Sequence, residues 1–159
     1  MSQQTLSISE LRAQVSRMLD RLSPDAPIAA TVVFPVNPAE EANFVRELEA
    51  LTTATRALPG LNLFTWHKHR SIVSRNGNQP KYLIYEDWQT RDYFRTQWNS
   101  EHLVHFQSIV GSTLLGAPDL QFYTGTAKGG GICRPLATGQ KTCWDGQGNV
   151  VSAAGSGCD

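Results

Sequence analysis

The chain is short of cysteine, of surplus charge and of long apolar runs. Its three cysteines, Cys133, Cys143 and Cys158, fall in the last part of the 159 residues, so no disulfide framework holds the body of the fold. Lysine plus arginine, 14, equals aspartate plus glutamate, 14, and neither sign is gathered into a block. That argues against nucleic acid or a membrane surface as partner, since both need a concentrated positive face. No apolar run approaches the roughly 20 residues needed to span a bilayer. The amino terminus, MSQQTLSISELRAQ, lacks the basic start and apolar segment of a secretory signal. The expectation is a cytoplasmic protein with one main domain.

What is present divides into three parts. In residues 1–27, Ser7 and Glu10 have capping-box spacing, and Leu11, Val15, Met18 and Leu22 share a helical face. That helix stops at Ser23-Pro24 and is expected as an appendage joined by a linker. Residues 28–124 alternate between strand and helix patterns. IAATVVFPV reads as a strand, and Phe44, Leu48, Leu51 and Leu58 repeat at helical spacing up to Pro59-Gly60. LNLFTWHKHR and KYLIYEDW are two further strands around a turn-rich loop at Ser74 to Pro80. A helical region from about Thr90 to Ser112, broken near Asn99-Ser100, leads to a last strand, DLQFYT. Residues 125–159 hold nine of the thirteen glycines and show little aliphatic periodicity.

The order βαββαβ predicts an α+β, ferredoxin-like protomer, a four-stranded antiparallel sheet with its helices on one face. The other face would be open. A second copy is the simplest cover for it, so a homodimer is expected.

The segment from Leu83 to Phe106 joins the third strand to the second helical region through Glu86-x-Trp88. With Ser100, His102 and Phe106, this corner resembles the antibiotic biosynthesis monooxygenase family of the dimeric α/β-barrel superfamily. Members of that family carry a strand ending in Glu-x-Trp and then a His-x-x-Ser-x-His-x-x-x-Phe helix. Thr55-Arg56-x-x-Pro59-Gly60 is similar to the family's turn before the second strand. The sequence departs from the family at three places. Ile84 stands where oxygenases of known type have asparagine, Phe94 where they have tyrosine, and Trp98 where the helix pattern opens with histidine.

The resemblance implies an oxygenase needing neither metal nor flavin, in which an aromatic or quinol-like substrate is deprotonated and its anion reduces dioxygen directly. Such a site needs an apolar slot, a base and a hydrogen-bond donor for the oxyanion. Phe94, Trp98 and Phe106, with Trp66 and Tyr85, are the candidate substrate-binding residues. His102, Trp88 and Glu86 are the candidate catalytic residues. His102 is the expected base, because an unperturbed imidazole titrates near pH ~6.5. The bland alternatives are a packing role for His102 and Trp88, a structural ion pair of Glu86 with Arg91 or Arg95, and plain core for the other aromatics.

No metal is expected. His67 and His69 share a strand face and His102 and His105 a helix face, but neither pair has an evident third ligand. A different reading is a non-catalytic protein that holds an aromatic ligand or haem, the latter through His102 or His105. The absent asparagine argues against haem degradation of the known kind. A third is a structural dimer that displays the tail. From Thr138 onward the tail is similar to a short segment that precedes lectin-like domains of bacterial surface proteins, where a cysteine usually stands at Ala153 and a glutamine at Cys158. Within it, Lys141 to Trp144 returning at Asn149 to Ser152 reads either as a hairpin or as disorder. A Cys133–Cys143 or Cys143–Cys158 link is chemically open but conflicts with a cytoplasmic setting.

Overall fold

The computed structural model describes residues 7–70 and 79–124 and, in backbone alone, residues 132–135, 141–144 and 150–152. The Ser74 to Pro80 loop of the sequence reading lies mostly outside them, as does Cys158. The described elements run α1 (Ile8–Asp20), β1 (Ile28–Pro35), α2 (Glu41–Arg56), β2 (Leu61–Lys68), β3 (Lys81–Trp88), α3 (Arg91–Trp98), α4 (Glu101–Val110) and β4 (Asp119–Tyr123). Strands β5 (Ile132–Pro135), β6 (Lys141–Trp144) and β7 (Val150–Ser152) follow. The first four strands form one antiparallel sheet in the order β2-β3-β1-β4, the ferredoxin-like arrangement.

Register decides which side chains face the helices. Ala30 lies opposite Glu86, Val32 opposite Ile84 and Phe34 opposite Tyr82 on β3, while Phe64 of β2 also faces Glu86. Partners directly across an antiparallel pair share a face, so Tyr82, Ile84, Glu86 and Trp88 all lie under the helices. These four are buried, and the residues alternating with them on β3 are not. Val33, Leu83, Tyr85 and Leu63 lie on the opposite face, where Leu63 is 45 % and Tyr123 53 % exposed.

The helical break falls between α3 and α4. Ser100 caps α4, its hydroxyl accepting from the Leu103 amide at 3.3 Å. In α1 the capping box is formed, with the Ser7 amide donating to Glu10 at 2.8 Å and the Glu10 amide to the Ser7 hydroxyl at 3.2 Å. This helix is no loose appendage. Val15 and Leu19 are buried with Ile28, Ala30, Trp88, Phe94 and Trp98. Arg91 donates to the carbonyls of Leu19 and Leu22, Arg95 pairs with Asp20 at 2.7 Å, and Arg12 reaches the Trp98 carbonyl at 2.8 Å.

The turn before β2 depends on Gly60, whose φ of 79° is the left-handed conformation that favours glycine. A Cβ there would be driven into the ring of Tyr93. The expected result for Gly60→Ala is a loss of about 2–4 kcal/mol in urea unfolding, combining left-handed strain with displacement of Tyr93. A loss below 0.5 kcal/mol would contradict this.

In the tail, β5, β6 and β7 make a three-stranded antiparallel sheet in which β6 pairs with both β5 and β7. Cys133 and Cys143 occupy facing register positions in it.

Candidate active site

Between sheet and helices lies a cavity of about 820 Å³, within the range of small-molecule sites. Its walls are mostly apolar. Phe64 and Ile84 come from the sheet, Phe94 and Trp98 from α3, and Phe106 from α4. Glu86 is the only ionisable side chain among its described lining residues, and Gln97 and Gln107 supply carboxamides.

Glu86 reaches the cavity because strand alternation sends every second side chain of β3 to that face, and it is only 8 % exposed. Its cross-strand neighbours, Ala30 and Phe64, give it no charge to pair with. The two arginines that could have paired with it are committed elsewhere, Arg91 to Asp92 and the end of α1, Arg95 to Asp20. Burial therefore dominates and raises the Glu86 pKa to about 7, with the Trp88 indole drawing it slightly down. The Trp88 Nε1–H acts on the carboxyl through proximity, without a hydrogen bond of normal geometry. A carboxyl half-ionised near neutrality is suited to proton transfer.

This shift has a consequence for stability. Below pH 4.5 Glu86 is protonated in both folded and unfolded chains, so it exacts no cost. Between pH 4.5 and about 7 the unfolded chain releases the proton that the folded chain keeps, and stability falls as pH rises. Above 7 both are ionised and the fall stops. At ~1.4 kcal/mol per pH unit the total is on the order of 3 kcal/mol. Glu86→Gln is expected to be more stable than the parent at pH 8 and equal to it at pH 4, as read by denaturant melts. A variant that is less stable at pH 8 would refute the buried-carboxyl assignment.

Gln97, buried on α3, links three elements. Its Nε2 donates to the Thr55 hydroxyl of α2 at 2.9 Å, which leaves Oε1 to accept from His102 Nε2 of α4 at 2.6 Å. His102 is thereby fixed with its proton on Nε2. Partial burial lowers its pKa and favours the neutral ring. It lies behind Gln97 and is not among the lining residues.

The structure thus gathers Glu86, Phe94, Trp98 and Phe106 around one cavity and leaves the other candidates outside it. Trp88 is fully buried beneath, edge-on to Phe94 at 6.4 Å. Trp66 packs on Tyr82 at 6.0 Å, near the other end of β3. Tyr85 faces the opposite side of the sheet, with its hydroxyl 3.5 Å from Asp87. Trp98 stacks on Phe94 at 6.1 Å and 21°, the Arg12 guanidinium lies 5.0 Å over its ring, and its Nε1–H has no partner among the described residues.

No three donors of the histidine, cysteine, aspartate and glutamate type cluster for a metal among the described residues. His105 lies 3.7 Å from Glu47, with its side chain largely exposed. A haem in this cavity would meet no histidine among the described lining residues, so the donor set does not fit that group.

The residue pattern of the antibiotic biosynthesis monooxygenase family matches residues 27–108, just over half of the chain. The chain belongs to that family. No curated protein matches it in sequence. Solved structures show the same fold at low identity. Rv0793 from Mycobacterium tuberculosis is 17 % identical over 65 % of this chain and 98 % of its own, with a TM-score of 0.56. PA3566 from Pseudomonas aeruginosa is 21 % identical over 66 % and 99 %, with a TM-score of 0.52. SnoaB, a cofactor-independent oxygenase from Streptomyces nogalater, is 14 % identical over 65 % and 96 %, with a TM-score of 0.53.

Counted three back from Ser100, the opening histidine of the monooxygenase-family helix pattern falls on Gln97, and not on Trp98 as the sequence reading had it. That residue is the one holding His102. Helix α1 and residues 111–120 lie outside the family match, yet Ile8, Leu11, Leu114 and Leu115 help to close the cavity. No described helix is long and apolar enough to cross a membrane.

Proposed function

We propose that this protein is a cofactor-independent monooxygenase acting on a small phenolic or quinol-like molecule held in the cavity, with Glu86 as the base. The observation that carries this reading is a buried carboxyl near pKa 7 in an apolar cavity without a counter-charge among its described lining residues. The base is thereby moved from His102 to Glu86. Glu86 takes the acidic proton, and the resulting anion is stabilised by donors that the fold has left uncommitted. Gln97 spends one amide hydrogen on Thr55 and keeps a second, and Trp98 keeps its Nε1–H. His102 is a positioning residue that fixes the rotation of the Gln97 carboxamide.

The electron-rich anion passes one electron to dioxygen, and the two radicals combine at carbon to give a peroxide. Loss of water from it leaves one oxygen atom in the product as a carbonyl. The substrate thus loses two hydrogens, one from its hydroxyl and one from the ring carbon that took up oxygen, and gains one oxygen, while the second oxygen departs as water. Family membership and the description of SnoaB as a cofactor-independent oxygenase support this chemistry.

The active form is proposed to be a homodimer closed across the open sheet face, where Leu63 and Tyr123 stand exposed. Light scattering should give twice the chain mass, and Leu63→Arg should give the monomer. An unmodified chain that stays monomeric at micromolar concentration would contradict this.

Oxygen uptake with a panel of hydroquinones and anthrones tests the enzymatic reading. Uptake that requires Glu86 is expected. Saturable binding without uptake across the panel would leave a binding protein instead.

A further inference from the structure

Among the described lining residues the one carboxyl stands toward one end of the cavity and apolar side chains surround the other, which deepens the reading above by naming a substrate class. At one end Glu86 stands at the register of Ala30. The other end is fixed by the bridge of Leu114 to Val36 and by the Leu115 amide, which donates to the Pro35 carbonyl at 2.9 Å. Six residue steps separate Ala30 from Val36, a distance of roughly 20 Å along the extended chain. Val32 and Phe34 line the cavity between these ends, and Val110, Leu114, Leu115 and Pro118 surround the far one.

The three polar side chains among the described lining residues are unequal. Glu86 bears the carboxyl, Gln97 keeps one amide hydrogen beyond its bond to Thr55, and Gln107, whose Oε1 accepts from Arg12 at 2.6 Å, keeps its own amide hydrogens. No lysine or arginine is among the described lining residues, so an anionic head such as a carboxylate would lie beside Glu86 without a counter-charge from them. A neutral hydroxyl head is what the polar end accommodates. A single fused-ring ligand seated there would leave the Leu114 end without contacts.

We propose that the ligand is an amphipathic phenol or quinol, its hydroxyl at Glu86 and Gln97 and an unbranched or prenyl apolar tail running to Leu114 and Leu115. Residues outside the family match, Ile8 and Leu11 of α1 together with Leu114 and Leu115, then set the tail length that this chain accepts.

The test is equilibrium binding to the full chain, followed by tryptophan fluorescence, of hydroquinones carrying methyl, hexyl and decyl tails. Affinity should rise about threefold to fourfold per methylene until the cavity is filled. Gly111 lines the far end in ordinary helical backbone, and a Cβ added there meets nothing within 4 Å. Gly111→Phe should therefore fold normally, leave the methyl compound unaffected and weaken the decyl compound at least tenfold. Leu115→Trp, at a half-exposed position, should act in the same direction. Equal affinity along the series, or variants that bind the decyl compound as the parent does, would overturn the proposal. Decylbenzene binding as tightly as decylhydroquinone would overturn the placement of the head. Oxygen uptake in the same samples separates the two readings. Tail-dependent binding without uptake keeps this inference and removes the oxygenase, and uptake indifferent to tail length does the reverse.

Discussion

Replacing Glu86 by glutamine is expected to lower oxygen uptake by about 10²–10⁴-fold, the usual contribution of a positioned general base. Glutamine matches the protonated carboxyl in shape and keeps a hydrogen-bonding head, so packing against Ala30 and Phe64 is preserved while the basic oxygen is lost. The pH profile carries the sharper signature. In the parent, turnover should climb through pH 7 as the buried carboxyl ionises, because its folded-state pKa lies near 7. In Glu86→Gln that rise should vanish, leaving the residual rate to follow the substrate's own ionisation. His102→Ala should cost much less, about tenfold in kcat, and should keep the rise through pH 7, since it acts through Gln97. If Glu86→Gln keeps a third or more of the parent rate while His102→Ala loses the pH dependence, the base is His102 and not Glu86.

Trp88→Ala is expected to have the largest effect on stability. Trp88 is fully buried at the end of β3, packed with Leu19 of α1, Ile28 of β1 and Phe94 of α3, so four elements meet on one indole. Truncating such a side chain removes its transfer free energy and leaves a void that the surrounding strands cannot close, at a cost of about 3–5 kcal/mol. A domain of this size has roughly 5–15 kcal/mol in all. The urea midpoint should fall steeply with an unchanged slope. There is a chemical corollary. Water admitted beside Glu86 would relieve its desolvation, and the turnover rise near pH 7 should shift to lower pH. Trp88→Phe keeps most of the volume and should cost under half as much. A Trp88→Ala variant within 1 kcal/mol of the parent would mean that α1 is not docked as described.

Strand alternation made much of this site legible in the sequence, though not the weight of each residue. The period of two on KYLIYEDW already places Glu86 and Trp88 together and Tyr85 on the other side of the sheet. Glu86 was legible as a candidate, but its role turned on where Arg91 and Arg95 point, and that depends on the docking of α1. A helix outside the core pattern shows its capping box and its apolar face in sequence, but the sheet edge that receives it is a tertiary fact. Gln97 was marked only by its place three before Ser100 in the family helix pattern, and its importance comes from Thr55 and His102, 42 and 5 residues away. The phenylalanine and tryptophan lining was legible from α3 and α4 periodicity. The far wall at residues 111–118 was not, since that segment has no periodicity to follow.

The central claim is that Glu86 is a buried, proton-exchanging carboxyl inside the cavity, and it can be tested without knowing the substrate. Carbon-13 NMR titration of glutamate carboxyls, with Glu86→Gln used to assign the resonance, measures its ionisation directly. The structure predicts one glutamate titrating near pH 7 that is absent from the variant. A Glu86 resonance titrating in the ordinary range near pH ~4.3 would place the carboxyl in water and contradict both the base and the site built around it.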